Sequence, residues 1–219
     1  MARSMPRFDL QFHAKASKAI ELARSGELST KRVNGENLWP VSKLESLYEL
    51  AYLRIFIEWE QVMEDLLLRS MCGYKSSIGQ ETMVAGYSHF STISLARAEV
   101  YGSHSYKLWH NPDIVVQRCQ RFIETHSPSN PVGNGLQATI ISSHQSRLKQ
   151  FAAIRHRIAH GQEDAKQKFN NASLSLAGRT FRGAMAGKLL RYKNPNSIVN
   201  STFLKTISDE LTGLISQMI

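Results

Sequence analysis

From Lys43 to Met71 the sequence places apolar side chains at steps of three and four: Leu44, Leu47, Tyr48, Ala51, Ile55, Trp59, Val62 and Leu66. This is the period of a helix, not the two-residue period of a strand. A helix this long needs partners along its whole apolar stripe, so the expected fold is an all-α bundle. Ser42, with Glu45 three residues on, has the spacing of a capping box, and Gly73 supplies a stop. Glu45, Glu49, Arg54, Glu58, Glu60, Glu64, Asp65 and Arg69 interrupt the stretch, so it is no bilayer span.

Further helices are expected around this spine. Phe8 to Arg24 carries Leu10, Ala14, Ser17, Ile20 and Leu22 at helical spacing, with Gly26 as its stop. Residues 29 to 40, with Gly35 and Pro40, read as a loop. Thr92 to Val100 suggests a short helix. Pro112 suits a first helical position, ahead of an apolar face of Ile114, Val115, Cys119, Phe122 and Ile123. Ser127 to Gly135 is turn-rich. Leu136 to His160 reads as one helix followed by Gly161, and Glu163 and Asp164 open another that runs to about Leu176. Gly178, Gly183 and Gly187 punctuate a basic segment, and Phe203 to Met218 forms a last helix. No strand pair or repeat is evident. The expected organisation is a single domain over residues 1–219: an N-terminal helix and loop (1–40), a core bundle of four or more helices (41–177), and a basic segment with the C-terminal helix (178–219).

Of the 219 residues, 42% are hydrophobic and 21% charged, the balance of a folded domain rather than a disordered one. Two cysteines, Cys72 and Cys119, make no disulfide framework and favour a reducing, cytoplasmic setting. Met1 to Phe12 lacks the apolar core of a secretion signal. The net charge of +9 is concentrated. Arg147 to Lys205 holds twelve Lys or Arg against Glu163 and Asp164, a balance of +10, which leaves fifteen bases and sixteen acids elsewhere. Such an asymmetry suits a polyanion-facing surface or a merely solvated basic face.

The chemistry-bearing segment is Phe151-Ala-Ala-Ile-Arg-His-Arg-Ile-Ala-His-Gly161. At 100° per residue, Leu148, Phe151, Ile154 and Ile158 project at about 60°, 0°, −60° and −20°. Arg155 falls at about 40°, inside that stripe, where a lone charge is costly and needs a carboxylate, an anion, a cleft or a subunit interface. His156 lies on the far flank, and His160 in the last turn. An arginine and a histidine so close suit RNA cleavage by attack of the ribose 2′-OH on its own phosphate. A base takes the hydroxyl proton, an acid protonates the leaving 5′-oxygen, and a fixed guanidinium holds the equatorial oxygens. An arbitrary Arg-x4-His is unspecific; the bland reading is a paired arginine and a helix-terminal histidine. His156 and His160 also have a metal-compatible spacing, but no third ligand is visible, and no metal or other cofactor is expected. Glu58, on the buried stripe of the long helix, is a supporting candidate that orients Arg155, or else pairs locally with Arg54. Lys149, Arg157, Lys166 and Lys168 would carry RNA phosphates, with Arg179, Arg182, Lys188, Arg191 and Lys193 further along the track.

Arg155-His-Arg-Ile-Ala-His160, continuing as Ile158-Ala-His-Gly161, resembles the motif of the HEPN superfamily: an arginine, a polar residue, then a histidine. Tyr52-Leu-Arg-Ile-Phe-Ile-Glu-Trp-Glu60, running on to Leu68-Arg-Ser-Met-Cys-Gly73, is similar to the partner helix of its RiboL-PSP-HEPN branch. Weaker similarity extends through Tyr106-Lys-Leu-Trp-His110, Gln162 to Phe169 and Gly187-Lys-Leu-Leu. The resemblance implies a helical bundle acting as a homodimer, with two motifs meeting in one cleft. It implies a metal-independent endoribonuclease of toxin–antitoxin or antiphage systems, hence RNA and an antitoxin or defence protein as partners. It assigns phosphate stabilisation to Arg155, acid or base work to His160 and an auxiliary polar role to His156. A catalytically silent HEPN module that binds RNA or a partner protein is the alternative. A basic helical DNA-binding or scaffold protein is a third reading.

Overall fold

The computed structural model describes residues 3–29, 39–77, 79, 82, 84–86, 88–104, 108–123 and 135–219, and these form an all-α fold. Among them the helices are α1 (Phe8–Ser29), α2 (Val41–Met71), α3 (Ile93–Tyr101), α4 (Pro112–Phe122), α5 (Gly135–Ser143), α6 (Gln145–Ala159), α7 (Glu163–Ala177), α8 (Ala186–Arg191) and α9 (Phe203–Met218). A two-residue parallel pair, β1 (Arg3–Ser4) with β2 (Tyr74–Lys75), is the extent of regular strand among the described residues. No helix among them is long and apolar enough to cross a membrane. Most of the expected Ser127–Gly135 turn, residues 30–38 of the first loop, and Tyr106 and Lys107 lie outside the described residues.

Helix α2 has 31 residues and the expected stripe: Leu44, Tyr48, Ala51, Ile55, Trp59, Val62 and Leu66 are all buried. Tyr52, Phe56, Met63 and Leu67 are buried beside them, so the helix is covered on a wide front. Its start differs from the expected capping box. The Lys43 and Leu44 amides donate to the Pro40 carbonyl (3.0 and 3.4 Å), which puts Pro40 at the N-cap and Ser42 inside the first turn.

Two compact units emerge from the packing. One comprises residues 1–10, 59–148 and 213–219; the other, residues 11–58 and 149–212. In the first unit α4 begins at Pro112, and the Asn111 side chain caps the amide of Asp113 (3.0 Å). Buried Gln137 of α5 donates to the Met63 carbonyl of α2 (2.8 Å). Tyr101 and Arg97 both donate to Glu64 (2.9 and 2.8 Å), and Trp109 donates to the Tyr101 hydroxyl (3.1 Å). The expected single helix from Leu136 to His160 is interrupted at His144. There the ring Nδ1 and the residue's own amide both reach the Ile140 carbonyl (3.0 and 3.2 Å), a side chain competing with the ladder.

In the second unit α1 buries Phe12, Ala16, Ala19 and Ala23. The expected face was wrong: Leu22 is 52% exposed, and Leu10, just before this unit begins, is 57% exposed. The winning row runs through small alanines, which let a neighbouring helix approach. Gly26 extends that row instead of stopping the helix. A Cβ there would lie 2.5 Å from Leu47 Cδ1 of α2. Gly187 of α8 comes closer still: its Cβ would lie 2.4 Å from the Glu45 carbonyl oxygen, and its amide donates to Glu49 Oε1 (2.9 Å). Gly187 therefore sits inside a helix as a contact residue, whereas Gly178 (φ 67°) does end α7 and Gly183 (φ 76°) does make a turn. Below that turn Phe181, Tyr192 and Phe203 form a ladder, edge-on at 5.6 Å and then stacked at 6.4 Å, with the Arg179 guanidinium over the first two rings. Cation–π contact and aromatic packing thus order the basic segment that lacked a sequence period.

Candidate active site on helix α6 and an adjoining cleft

The C-terminal half of α6 and all of α7 belong to the second unit, so the candidate residues share one packed framework. Phe151 and Ile154 are fully buried and Ile158 is partly buried, which fixes the rotation of α6 as its apolar spacing requires. The buried Tyr52 hydroxyl of α2 donates to the Phe151 carbonyl at 2.8 Å. This bond sits one turn before the Arg-His segment and sets its height along α2. Burial raises the Tyr52 phenol well above its ordinary range, so it is a permanent donor.

Arg155 is half-buried at the edge of the stripe. His156 and His160 have come together: their ring centroids are 4.7 Å apart with the planes tilted by 51°. The His160 amide donates to the His156 carbonyl (2.9 Å), so His160 closes the last turn of α6 and is exposed. The His156 pKa is lowered, first by burial and then by the neighbouring positive charges of His160 and Lys168; Asp164 acts in the opposite sense. His156 is therefore held toward its neutral form, the form that accepts a proton.

Arg157, expected as a phosphate contact, is engaged with backbone carbonyls. Its Nε donates to the Ala184 carbonyl (2.9 Å) and its Nη1 to the His160 carbonyl (3.1 Å). One guanidinium thus ties the end of α6 to the turn at Phe181–Ala184. It satisfies a carbonyl that the helix end leaves open. Lys166 pairs with Glu163 (2.9 Å) and Lys168 with Asp164 (2.8 Å), both on α7, while Lys149 is exposed on α6. Farther along, Arg191 meets Glu27 (3.3 Å), and Lys205 pairs with Asp209. Four of the twelve bases between Arg147 and Lys205 are thus paired with carboxylates. Glu58 is engaged by Lys15 of α1 at 2.6 Å, a partner that neither reading of Glu58 named.

Beside this site an open cleft of about 310 Å³ lies between the start of α7 and the turn that follows it. The turn is tight: the Ala184 amide donates to the Phe181 carbonyl (2.9 Å), and Gly183, at φ 76° and ψ 8°, has the backbone of the third residue of a type II turn. Ala184 then adopts φ 48°, left-handed for a residue with a Cβ. Sequence reasoning missed the cleft and the Arg157 tether. The glycine at position 183 was a visible turn signal, but nothing in its spacing indicated which arginine would grip the turn. Among the described residues no group of three or more His, Cys, Asp or Glu is placed to hold a metal ion. Comparison with family models, with curated proteins and with solved structures finds no match for the chain.

Proposed function

We propose that this protein is an endoribonuclease that cleaves RNA by metal-independent transesterification at the end of α6. The observation that carries the reading is the juxtaposed pair His156 and His160, one of them biased toward the neutral form, in the turn that also bears Arg155. A neutral imidazole takes the proton from the ribose 2′-OH. The 2′-oxygen bonds to phosphorus, and the P–O5′ bond breaks. The second imidazole, protonated, gives its proton to the leaving oxygen, so the products are a 2′,3′-cyclic phosphate and a 5′-hydroxyl. Arg155 supplies two parallel donors to the phosphate oxygens as charge builds on them. The resemblance to the HEPN motif supports Arg155 at the phosphate and His160 as acid or base; it gives His156 an auxiliary polar role, and the base role of His156 rests on the geometry of the pair. The resemblance adds a homodimer in which two such turns share a cleft, and a toxin or antiphage setting with an antitoxin or defence partner.

The test is cleavage of structured and single-stranded RNA, with DNA of the same sequence beside it, in the presence of a chelator. Wild type is compared with Arg155→Ala and His160→Ala, the folding of each checked by circular dichroism. The expected result is RNA-only cleavage that ends in a cyclic phosphate and falls by at least about a hundredfold in each variant. Intact RNA with wild type, or full activity in both variants, defeats the reading and leaves a module that binds RNA or a protein. Growth arrest on expression is expected of a toxin; unimpaired growth removes that role and leaves the nuclease.

A further inference from the structure

We propose that the cleft formed by Lys166, Asn170, Phe181, Arg182, Gly183 and Ala184 is a nucleotide subsite. It would hold one base and its phosphate next to the scissile bond. The inference rests on the ribonuclease reading for the kind of ligand, and on the cleft itself for the rest. Its volume of about 310 Å³ falls in the range of small-molecule sites, large enough for a single nucleotide and too small for a duplex.

The lining is mixed in the way a nucleotide needs. Arg182 is exposed at the second position of the turn, free of the aromatic ladder that engages Arg179. Lys166 stands on the opposite wall with Glu163 against it, so the cleft mouth carries two cations and one acid. Two cations favour a phosphate, and the acid prevents indiscriminate anion capture. Phe181 is buried and locked edge-on to Tyr192, so it is a rigid apolar wall rather than a mobile one. At Asn170 the carbonyl oxygen Oδ1 is shut off from solvent and has no hydrogen-bond partner, an unmet acceptor of the kind that is costly to leave unmade. A side-chain amide presents a donor and an acceptor together, and a turn of the Asn170 side chain into the cleft would let it pair with the edge of a base and satisfy that acceptor.

The cleft is also coupled to the chemistry. Arg157 holds Ala184 at the rim with one nitrogen and the His160 carbonyl with another. A base seated against Phe181 is therefore two hydrogen bonds from the backbone of His160. Left-handed Ala184 keeps the rim in a conformation that the chain would not adopt unaided. The cleft would hold the nucleotide flanking the cut and so set which phosphate enters the site.

The test uses the full chain titrated calorimetrically with adenosine, guanosine, cytidine and uridine 5′-monophosphates, and with inorganic phosphate as a separate arm. Saturable binding of at least one nucleotide, tighter than phosphate, is expected. Arg182→Ala should weaken it about tenfold, and Asn170→Ala should weaken it several-fold while flattening the preference among bases. No saturable binding at millimolar nucleotide overturns the subsite. So does phosphate binding as tightly as any nucleotide, or unaltered binding in Arg182→Ala. Nucleotide binding by a protein that leaves RNA intact retires the ribonuclease reading and keeps the subsite; RNA cleavage without nucleotide binding does the reverse.

Discussion

The guanidinium of Arg157 donates to the carbonyl of His160 three residues ahead, at 3.1 Å, while its other arm reaches Ala184. An arginine in the middle of a candidate catalytic motif is thus spent on backbone. Arg157→Ala should remain folded but lose about 1–2 kcal/mol in urea unfolding, the net worth of two hydrogen bonds. Because the tether holds both His160 and the Ala184 rim of the cleft, kcat should fall and KM for RNA should rise. A variant with wild-type stability and kcat shows that the tether positions nothing.

The lowered pKa of His156 has a consequence for stability. Its ordinary value is 6.5, and burial and neighbouring positive charge depress it in the folded protein. Between the folded value and 6.5 the unfolded chain binds more protons, so stability rises with pH across that window and is level above it. Acidification below 6.5 should therefore weaken the fold, and His156→Gln should flatten part of that slope. Unfolding titrations from pH 5 to 7.5 measure it directly; an identical slope in the variant assigns the effect elsewhere. If His156 is the base, cleavage should also fall along an acid limb centred below 6.5.

Gly187 has no room for a methyl group, since its Cβ position meets the Glu45 backbone at 2.4 Å. Backbone cannot swing aside as a side-chain tip can. Gly187→Ala should cost about 1–3 kcal/mol as α8 is pushed off α2, with the Gly187 amide drawn away from Glu49. Gly26→Ala meets only side-chain atoms, of Leu47 and Leu44, and should cost less. Equal thermal midpoints for the two variants would contradict this ordering.

Glu58 pairs with Lys15, whose side chain is 55% exposed. Such pairs contribute about 1 kcal/mol or less. Glu58→Gln should therefore leave both thermal midpoint and RNA cleavage close to wild type. A large loss of cleavage with an unaltered midpoint would restore Glu58 to the site as a residue acting on Arg155.

What could be read in advance was whatever depends on local period. The spine α2, the closing helix α9, Pro112 at the start of α4 and Gly178 at the end of α7 follow from spacing and backbone preference alone. The face of α1 did not, because hydrophobicity favours Leu10 and Leu22 while packing selected alanines that permit close approach. The break at His144 was equally hidden, since it depends on a ring bonding to a carbonyl. In the site, Arg155, His156 and His160 were nameable from their motif. The partners of Arg157, Glu58 and Tyr52 were not, because they lie 27, 43 and 99 residues away in sequence.

Both thiols of the molecule are shut in, and both in the same unit. Cys119 donates to Gln137 (3.6 Å) and is pushed by burial to about 12, and burial raises Cys72 as well. Residues 11–58 and 149–212 contain no cysteine. Thiol-directed reagents should therefore label Cys119 only when residues 59–148 open, and the rate of labelling at Cys119 follows that opening. The unit that carries His156 and His160 has no thiol for them to label, so its own unfolding can be followed by other means on the same sample. The native sequence already carries a reporter on one half of the protein and none on the other.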